Sequence, residues 1–344
     1  MKYSFKADYS EGSHPEILKY LTEVNEIQSD TYGHDEFCKL ASDRIKETFG
    51  LPNANVQFLA SGTLTNVTAL CSMLKSYEGV IAPSSGHINV HETGAIEAAG
   101  HKIIYVDTVD GKLTPAHIEK AMLTYEDEHT VVPRVVYITQ STERATLYTK
   151  AEIEAVVASA KSHDLYVYVD GARLAQAFAS EKSDMTPKEF AQLGIDMFYI
   201  GGAKNGLLFG EALVVVNEKF SDDIRFYIKQ RGGVLGKTRT IGAQFARDFD
   251  SDDLWLKTAK HSCDMAKKLY EGMSAQGVEL DHECNVNQIF PILQKDAIEK
   301  LEELYGFYRY EEIDEKRQRI RLVTSWATPV ERVEEFLLDL KNIL

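Results

Sequence analysis

Cysteine and proline are scarce in this chain. Its 344 residues include four cysteines and eight prolines. The cysteines have no CxxC or zinc-ribbon spacing, which argues against a disulfide framework and predicts no metal site. A chain of this length buries enough apolar surface to fold without a disulfide or a metal. The isolated residues Cys38, Cys71, Cys263 and Cys284 predict reduced thiols and a cytoplasmic location.

The chain also has no excess of positive charge and no long apolar stretch. There are 38 Lys and Arg residues against 53 Asp and Glu residues, a net charge of −15. This balance argues against a nucleic-acid partner and against docking on an anionic membrane. No apolar run approaches the ~18 residues of a membrane span, and residues 1–12 lack the apolar region of a signal peptide. A small anionic ligand remains compatible, because a pocket can be basic inside an acidic shell.

Short apolar runs alternate with helical stretches along the first part of the chain. The candidate strands are residues 56–60, 102–106, 134–139, 165–170, 196–200 and 212–216. Several of these runs are apolar throughout, as expected for strands covered on both faces of a mostly parallel sheet. Helix starts are indicated at Thr114-Pro115 and at the capping box Thr149–Glu152. The alternation predicts an α/β, doubly wound domain.

The pattern changes near residue 240. A long helix is predicted over residues 251–276, strands over 287–292 and 320–324, and a closing helix from a capping box at Thr328. We therefore expect an N-terminal segment of residues 1–20, a large domain of residues 21–240 and a small α+β domain of residues 241–344.

Side chains suited to binding or catalysis follow three of the predicted strands. Open α/β sheets bind ligands outside the carboxyl ends of their strands. Ser61-Gly62-Thr63 opens a helix whose free N–H groups can bind an anion, although an ordinary N-cap has the same pattern. Asp170 ends a buried strand and needs a cation, which an internal salt bridge to Arg173 would also supply. Lys204 lies in a glycine-rich loop that we expect to be flexible, where a lysine is otherwise simply solvated.

The combination is more specific than its parts, because it matches the needs of pyridoxal 5'-phosphate (PLP). The helix start would hold the phosphate, and the carboxylate would keep the ring nitrogen protonated. The lysine amine would attach covalently to the cofactor. Asp170 precedes Lys204 by 34 residues, enough for a helix and the next strand.

Further motifs give the chain a family resemblance. They are Ser61-Gly62-Thr63-Leu64-Thr65-Asn66, His87-Ile88-Asn89-Val90-His91-Glu92, Ser141-Thr142-Glu143, Val169-Asp170-Gly171-Ala172-Arg173, Gly201-Gly202-Ala203-Lys204-Asn205-Gly206 and Arg321-Leu322-Val323-Thr324-Ser325-Trp326. In these motifs and their order the chain resembles the aromatic amino acid β-eliminating lyase and threonine aldolase family, most of all its threonine aldolases. The resemblance implies a PLP-dependent enzyme of the aspartate aminotransferase-like fold, with a mostly parallel sheet in a large domain and a smaller C-terminal α+β domain.

The resemblance also implies a role for each matching residue around the cofactor. Lys204 would carry the cofactor and Asp170 would pair with its ring nitrogen. Gly62 and Thr63 would bind the phosphate, and His87 would stack on the ring.

Two arginines match the family residues that take the substrate carboxylate. These are Arg173, which also lies with the cofactor-binding residues, and Arg321. A guanidinium suits this task because it binds a carboxylate with two parallel hydrogen bonds.

The chain departs from the family pattern at two places. Ala203 stands where a hydroxyl often reaches the phosphate, and Ala7 stands where a serine helps to hold the substrate carboxylate, with Ser10 nearby. Other residues match family positions at a subunit interface. His34 could approach a neighbouring active site, and Lys237 and Arg239 could complete a phosphate site there.

The reaction that the resemblance implies is cleavage of a β-hydroxy-α-amino acid, such as L-threonine or L-allo-threonine, to glycine and an aldehyde. The base for the β-hydroxyl proton stays open among His87, His91 and a bound water. A PLP-dependent β-eliminating lyase and a non-catalytic cofactor-binding or interaction protein are the alternatives. The family further implies a homodimer or homotetramer.

Overall fold

A computed structural model describes residues 1–125 and 127–344. The strands are β1 (Tyr3–Ser4), β2 (Asn55–Leu59), β3 (Glu78–Pro83), β4 (Lys102–Val106), β5 (Val132–Thr139), β6 (Tyr166–Asp170), β7 (Met197–Gly201), β8 (Glu211–Val215), β9 (Glu279–Leu280), β10 (Gln288–Ile289), β11 (Pro291–Gln294), β12 (Tyr305–Gly306), β13 (Tyr308–Glu312) and β14 (Arg317–Val323). The helices are α1 (Pro15–Glu23), α2 (Glu36–Phe49), α3 (Gly62–Met73), α4 (His87–Val90), α5 (Ala95–Ala98), α6 (Pro115–Thr124), α7 (Lys150–Ser162), α8 (Leu174–Ala179), α9 (Pro187–Ala191), α10 (Ile224–Gln230), α11 (Arg239–Asp248), α12 (Leu254–Ala275), α13 (Lys295–Leu304) and α14 (Val330–Ile343).

The central element of the fold is a mostly parallel sheet. Within the described residues it has seven strands in the order β2-β8-β7-β6-β5-β3-β4. Only β8 runs antiparallel to its neighbours, so β2, β5, β6 and β7 share one direction. Their carboxyl ends therefore meet at one edge, together with the start of β8. The predicted α/β class and mostly parallel sheet are confirmed.

The six predicted strands of the first part are confirmed to within two residues at either end. The sequence missed β3, which lies between β5 and β4 and whose residues are all buried. Gly79 and Pro83, near the two ends of β3, are residue types typical of turns, and they hid the apolar run between them.

The predicted strand over residues 287–292 is wrong as a single element. It is divided into β10 and β11, which pair with different parts of β14. The break comes before Pro291, whose nitrogen carries no hydrogen for a sheet ladder. The predicted long helix is confirmed as α12.

The two predicted capping boxes have different outcomes. Thr149 caps α7 as expected, since its backbone N–H donates to Glu152 at 2.8 Å and its hydroxyl accepts from the Glu152 N–H at 3.2 Å. Thr328 does not cap the closing helix, and Pro329 occupies that position in α14. The Thr328 hydroxyl instead accepts from the Ser325 N–H at 2.8 Å, within the segment that precedes the helix, where both residues are buried.

Apolar side chains cover both faces of the large sheet, and a separate cluster fills the C-terminal part. Phe5 belongs to this C-terminal cluster, and β1 pairs with β12, so the start of the chain packs on its end. The helix α12 contacts both parts, with Trp255 in the first and Leu269 in the second. The domain boundary near residue 240 stays a prediction. None of the helices in the described ranges is long and apolar enough to cross a bilayer.

Candidate active site

The residues singled out after three different strands surround one cavity at the carboxyl edge of the sheet. This inner cavity has a volume of about 230 Å³. Its walls include Ser61, Gly62, Thr63, Asp170 and Lys204. Parallel strands β2, β6 and β7 bring these groups together, because each group follows the carboxyl end of its own strand.

The helix α3 presents its N-terminus to the inner cavity. The Ser61 side chain caps this helix by accepting from the Leu64 N–H at 3.4 Å, as the N-cap interpretation predicts. The first N–H groups of a helix have no acceptor within it and can bind an anion. Gly62 is packed tightly, since a Cβ there would lie 3.2 Å from the Tyr199 hydroxyl. The start of α3 can therefore be capped by Ser61 and still bind an anion.

Asp170 is a buried carboxylate at the end of β6. Its Oδ2 accepts hydrogen bonds from the Tyr137 hydroxyl at 2.7 Å and from Asn66 Nδ2 at 3.0 Å. Burial opposes ionisation, but nearby His87 and these hydrogen bonds hold the pKa of Asp170 below its usual value. The alternative of a salt bridge to Arg173 is wrong, because Arg173 pairs with another residue. Asp170 thus keeps a negative charge facing the cavity.

Lys204 lies in a short 3-10 turn, residues Ala203–Asn205, directly after β7. Its surroundings contradict the flexible loop expected from the glycines. A Cβ at Gly201 would lie 2.2 Å from the Ala172 carbonyl oxygen, and one at Gly202 would lie 2.5 Å from that of Gly210. The glycines permit close packing that fixes the lysine. Burial and the neighbouring Arg173 lower the pKa of Lys204, which favours a nucleophilic amine.

His87 begins α4 and lies on the wall of the inner cavity. Its Nδ1 is 2.7 Å from Glu92 Oε1, which also accepts from Asn66 Nδ2 at 2.7 Å. Because Asn66 donates to Asp170 as well, a continuous hydrogen-bond chain links the imidazole to that carboxylate. The chain fixes the orientation of the ring.

Two acidic residues of this cavity were missed by the sequence reasoning. Glu143 accepts from the His87 backbone N–H at 2.8 Å and from the Thr139 hydroxyl at 2.9 Å. It belongs to a recognised motif, but nothing in the motif indicated a role. Glu211, the first residue of β8, accepts from the Gly202 N–H at 2.8 Å. Burial raises the pKa of Glu211 to about 8, and no sequence signal marks this residue.

A second, outer cavity of about 730 Å³ adjoins the first. Arg321 on β14 reaches this cavity, with its guanidinium 5.0 Å from the centre of the Tyr308 ring. The Nε of Arg321 is shielded and has no hydrogen-bond partner among residues 1–125 and 127–344. An unpaired buried guanidinium nitrogen is costly, so a ligand that accepts from Arg321 would be strongly favoured.

The other arginine predicted to bind the substrate carboxylate already pairs with a carboxylate of the protein. Arg173 forms two hydrogen bonds to the fully buried Asp8, at 2.7 and 3.0 Å. Asn287 donates to the same carboxylate at 2.9 Å. The two arginines therefore differ: Arg173 is fixed within the protein, and Arg321 keeps free donors.

The residues assigned to a subunit interface lie elsewhere. His34 is on the wall of a different cavity, of about 290 Å³. Arg239 donates to the Val24 carbonyl oxygen at 2.7 Å, while Lys237 is exposed. These three residues do not line a cavity with Lys204, and their role at an interface stays a prediction. Ser10, which lies near the missing serine at position 7, donates to the carbonyl oxygen of Ala7 at 3.4 Å.

One edge of this sheet combines a helix N-terminus that can bind a phosphate, a buried carboxylate and a closely packed lysine. This combination defines a class, the PLP-dependent α/β enzymes. The sequence profile of the β-eliminating lyase family matches residues 12–296. The chain belongs to that family.

Two threonine aldolases are similar to the chain over almost its whole length. The low specificity L-threonine aldolase of Pseudomonas aeruginosa is 34% identical, with 99% of this chain and 97% of that protein covered. A solved structure of a threonine aldolase from Leishmania major has a TM-score of 0.97 and 42% identity, covering 99% of both chains. An aspartate aminotransferase from Thermus thermophilus has a TM-score of 0.72 at 14% identity, with 99% of this chain and 91% of that chain covered. This last likeness confirms the predicted fold.

Proposed function

We propose that the protein is a PLP-dependent aldolase that cleaves L-threonine, L-allo-threonine and related β-hydroxy-α-amino acids to glycine and an aldehyde. One observation carries the proposal: Lys204 lines both cavities, with Asp170 on the inner side and Arg321 on the outer side. Cofactor and amino acid can therefore meet at one amine. The similarity to proteins named threonine aldolase supports the choice of reaction.

The residues of the inner cavity fit PLP. The start of α3, at Gly62 and Thr63, would hold the phosphate. Glu211 lines the same cavity and accepts from the Gly202 N–H, next to Ala203, which supplies no hydroxyl. Asp170 is held ionised and would keep the ring nitrogen protonated. When bound, PLP supplies an acceptor for the electron pair of the bond that breaks at Cα.

Other side chains would bind and orient the two molecules. The Lys204 amine would hold the cofactor until the substrate amine replaces it. The ring of His87, fixed through Glu92, would lie against the cofactor. Arg321 would bind the substrate carboxylate, and Arg173, fixed by Asp8, would shape the adjoining wall and offer its remaining N–H groups. An oriented carboxylate places the reacting bond and so lowers the barrier to cleavage.

The products distinguish this proposal from its alternatives. Purified protein incubated with PLP and L-threonine or L-allo-threonine is expected to release acetaldehyde and glycine, measured by an aldehyde-reducing coupled assay. Pyruvate and ammonia from a suitable amino acid, without aldehyde, would instead indicate the β-eliminating lyase. PLP binding without release of any product, or no PLP binding at all, seen as no change in the visible spectrum, would indicate the non-catalytic alternative.

Replacing Arg321 with glutamine is expected to weaken substrate binding. Loss of a charged hydrogen-bond pair costs about 1.5–3 kcal/mol, which corresponds to a KM for L-threonine raised roughly 10- to 150-fold. The matched control is Arg309→Gln, because Arg309 lines the same cavity but pairs with Glu302 at 2.6 Å. Steady-state kinetics in which both variants keep the wild-type KM would remove Arg321 from this role.

Assembly and location are also part of the proposal. Tyr9 and Val90 are exposed apolar side chains on the wall of the outer cavity, and they support burial against another copy, as in a homodimer or homotetramer. The four cysteines are free thiols, which suits the reducing cytoplasm.

A further inference from the structure

Glu143 has one carboxylate oxygen that the fold uses and one that it does not. Its Oε1 accepts from the His87 N–H and the Thr139 hydroxyl. Its Oε2 is shielded from solvent and has no hydrogen-bond partner in the described part of the chain. Leaving a shielded carboxylate oxygen without a donor is costly, so such an atom calls for an explanation. A ligand that brings its own donor would provide one.

The position of Glu143 fits a bound substrate as that ligand. Glu143 lies on the wall of both the inner and the outer cavity, as do Tyr9, His87, Arg173 and Lys204. Arg173 cannot accept a proton from the substrate, because an arginine side chain has no acceptor atom. Lys204 is excluded because its amine would be joined to the cofactor.

The remaining two candidates at the junction are less suited to accept a proton. The Nδ1 of His87 is already bonded to Glu92 at 2.7 Å, and its ring is assigned to the cofactor. Tyr9 is 57% exposed. Glu143 therefore supplies the shielded and free acceptor at the junction of the cavities.

We infer that Glu143 is the base that accepts the β-hydroxyl proton of the substrate, an inference that rests on the proposed aldolase function. Oε2 takes the proton, and the O–H electron pair becomes the second carbon–oxygen bond of the aldehyde. The Cα–Cβ bond breaks and leaves its electron pair at Cα, for which the cofactor, when bound, would supply an acceptor. A proton then adds at Cα and completes glycine.

The electrostatics around Glu143 suit this task. Burial and the negative charge of Asp170 raise the pKa of Glu143, which makes its carboxylate a stronger base. His91 is the competing base, since burial and nearby His87 lower its pKa and leave it uncharged at neutral pH. His91 lines only the outer cavity, farther from the Asp170 end of the site.

The test compares two reactions of the PLP-loaded protein. Cleavage of L-threonine needs a base for the β-hydroxyl, whereas exchange of a glycine Cα hydrogen for deuterium does not. We expect Glu143→Gln to lower kcat/KM for L-threonine about 10²- to 10⁴-fold, the usual contribution of a general base. Glycine exchange, followed by NMR, and the dissociation constant for PLP, from an absorbance titration, should stay close to wild type. His91→Asn tests the competing base, and we expect it to lose less of the cleavage reaction than Glu143→Gln does.

The pH profile adds a readout that a structural role would not change. In the wild type, kcat/KM should rise with pH as Glu143 loses its proton, and this limb should be absent in Glu143→Gln. Equal losses of cleavage and glycine exchange would assign Glu143 to positioning His87. Wild-type cleavage by Glu143→Gln, or its loss in His91→Asn alone, would also overturn the inference. A wild-type protein that exchanges glycine but cleaves no β-hydroxy amino acid would overturn the aldolase proposal and this inference together.

Discussion

Lys204→Ala is expected to bring cleavage of L-threonine down to the background rate. The variant loses the amine that lines both cavities, with Asp170 on the wall of one and Arg321 on the wall of the other. It also loses the site of covalent attachment, so borohydride treatment of the PLP-loaded protein should no longer leave the cofactor on the protein. In the wild type, mass spectrometry should find the reduced adduct on the peptide that contains residue 204.

The effect should be specific to this lysine. Lys182→Ala is the control, because Lys182 forms an exposed ion pair with Glu283 at 2.8 Å, away from the cavities. Exposed pairs contribute at most about 1 kcal/mol to stability, so this variant should fold, bind PLP and cleave threonine as the wild type does. If Lys204→Ala kept both turnover and the reducible adduct, the assignment of Lys204 would have to be abandoned.

Asp170→Asn is expected to have the second largest effect, a fall in kcat of at least about 10²- to 10³-fold, as for the loss of a group that stabilises charge in the transition state. Asparagine keeps the size of the side chain but not its charge. The ring nitrogen would then lack the anion that keeps it protonated, and the cofactor would be a poorer acceptor of electrons. The visible spectrum of the bound cofactor should change together with kcat.

A matched control separates this charge effect from a loss of stability. Asp196 is also a buried carboxylate beside the sheet, where it accepts from the Val167 N–H at 2.7 Å, but it lies at the opposite end of β7. Asp196→Asn should lower the melting temperature while keeping kcat per bound cofactor near wild type. Similar values of kcat for Asp170→Asn and the wild type would contradict an ionic role for Asp170.

Asp170 also illustrates how far sequence reasoning reaches. Its position at the end of a buried strand could be predicted, because an apolar run of β-branched and aromatic residues precedes it. Its ionisation could not be predicted, since that depends on Tyr137 and Asn66, which lie 33 and 104 residues away in the chain. Hydrogen bonds between distant residues leave no spacing pattern in a sequence.

The two arginines show the same limit. Both match family residues for the substrate carboxylate, and the sequence offered no ground to distinguish them. The fold pairs Arg173 with Asp8, 165 residues away, and leaves the Nε of Arg321 without a hydrogen-bond partner in the part of the chain that the structure describes. Glu143 is similar, because its proposed role depends on a shielded oxygen that has no hydrogen-bond partner among the described residues, which no sequence pattern reveals.

The sequence by itself determined the parallel sheet, the order of helix start, carboxylate and lysine along the chain, and the family. These properties depend on local patterns: apolar runs, caps and motifs of a few adjacent residues. Tertiary structure alone decided the place of β3, the charge of Asp170, the partner of Arg173 and the free oxygen of Glu143. They depend on burial and on contacts between residues far apart in the chain, which form only when the strands assemble and exclude water.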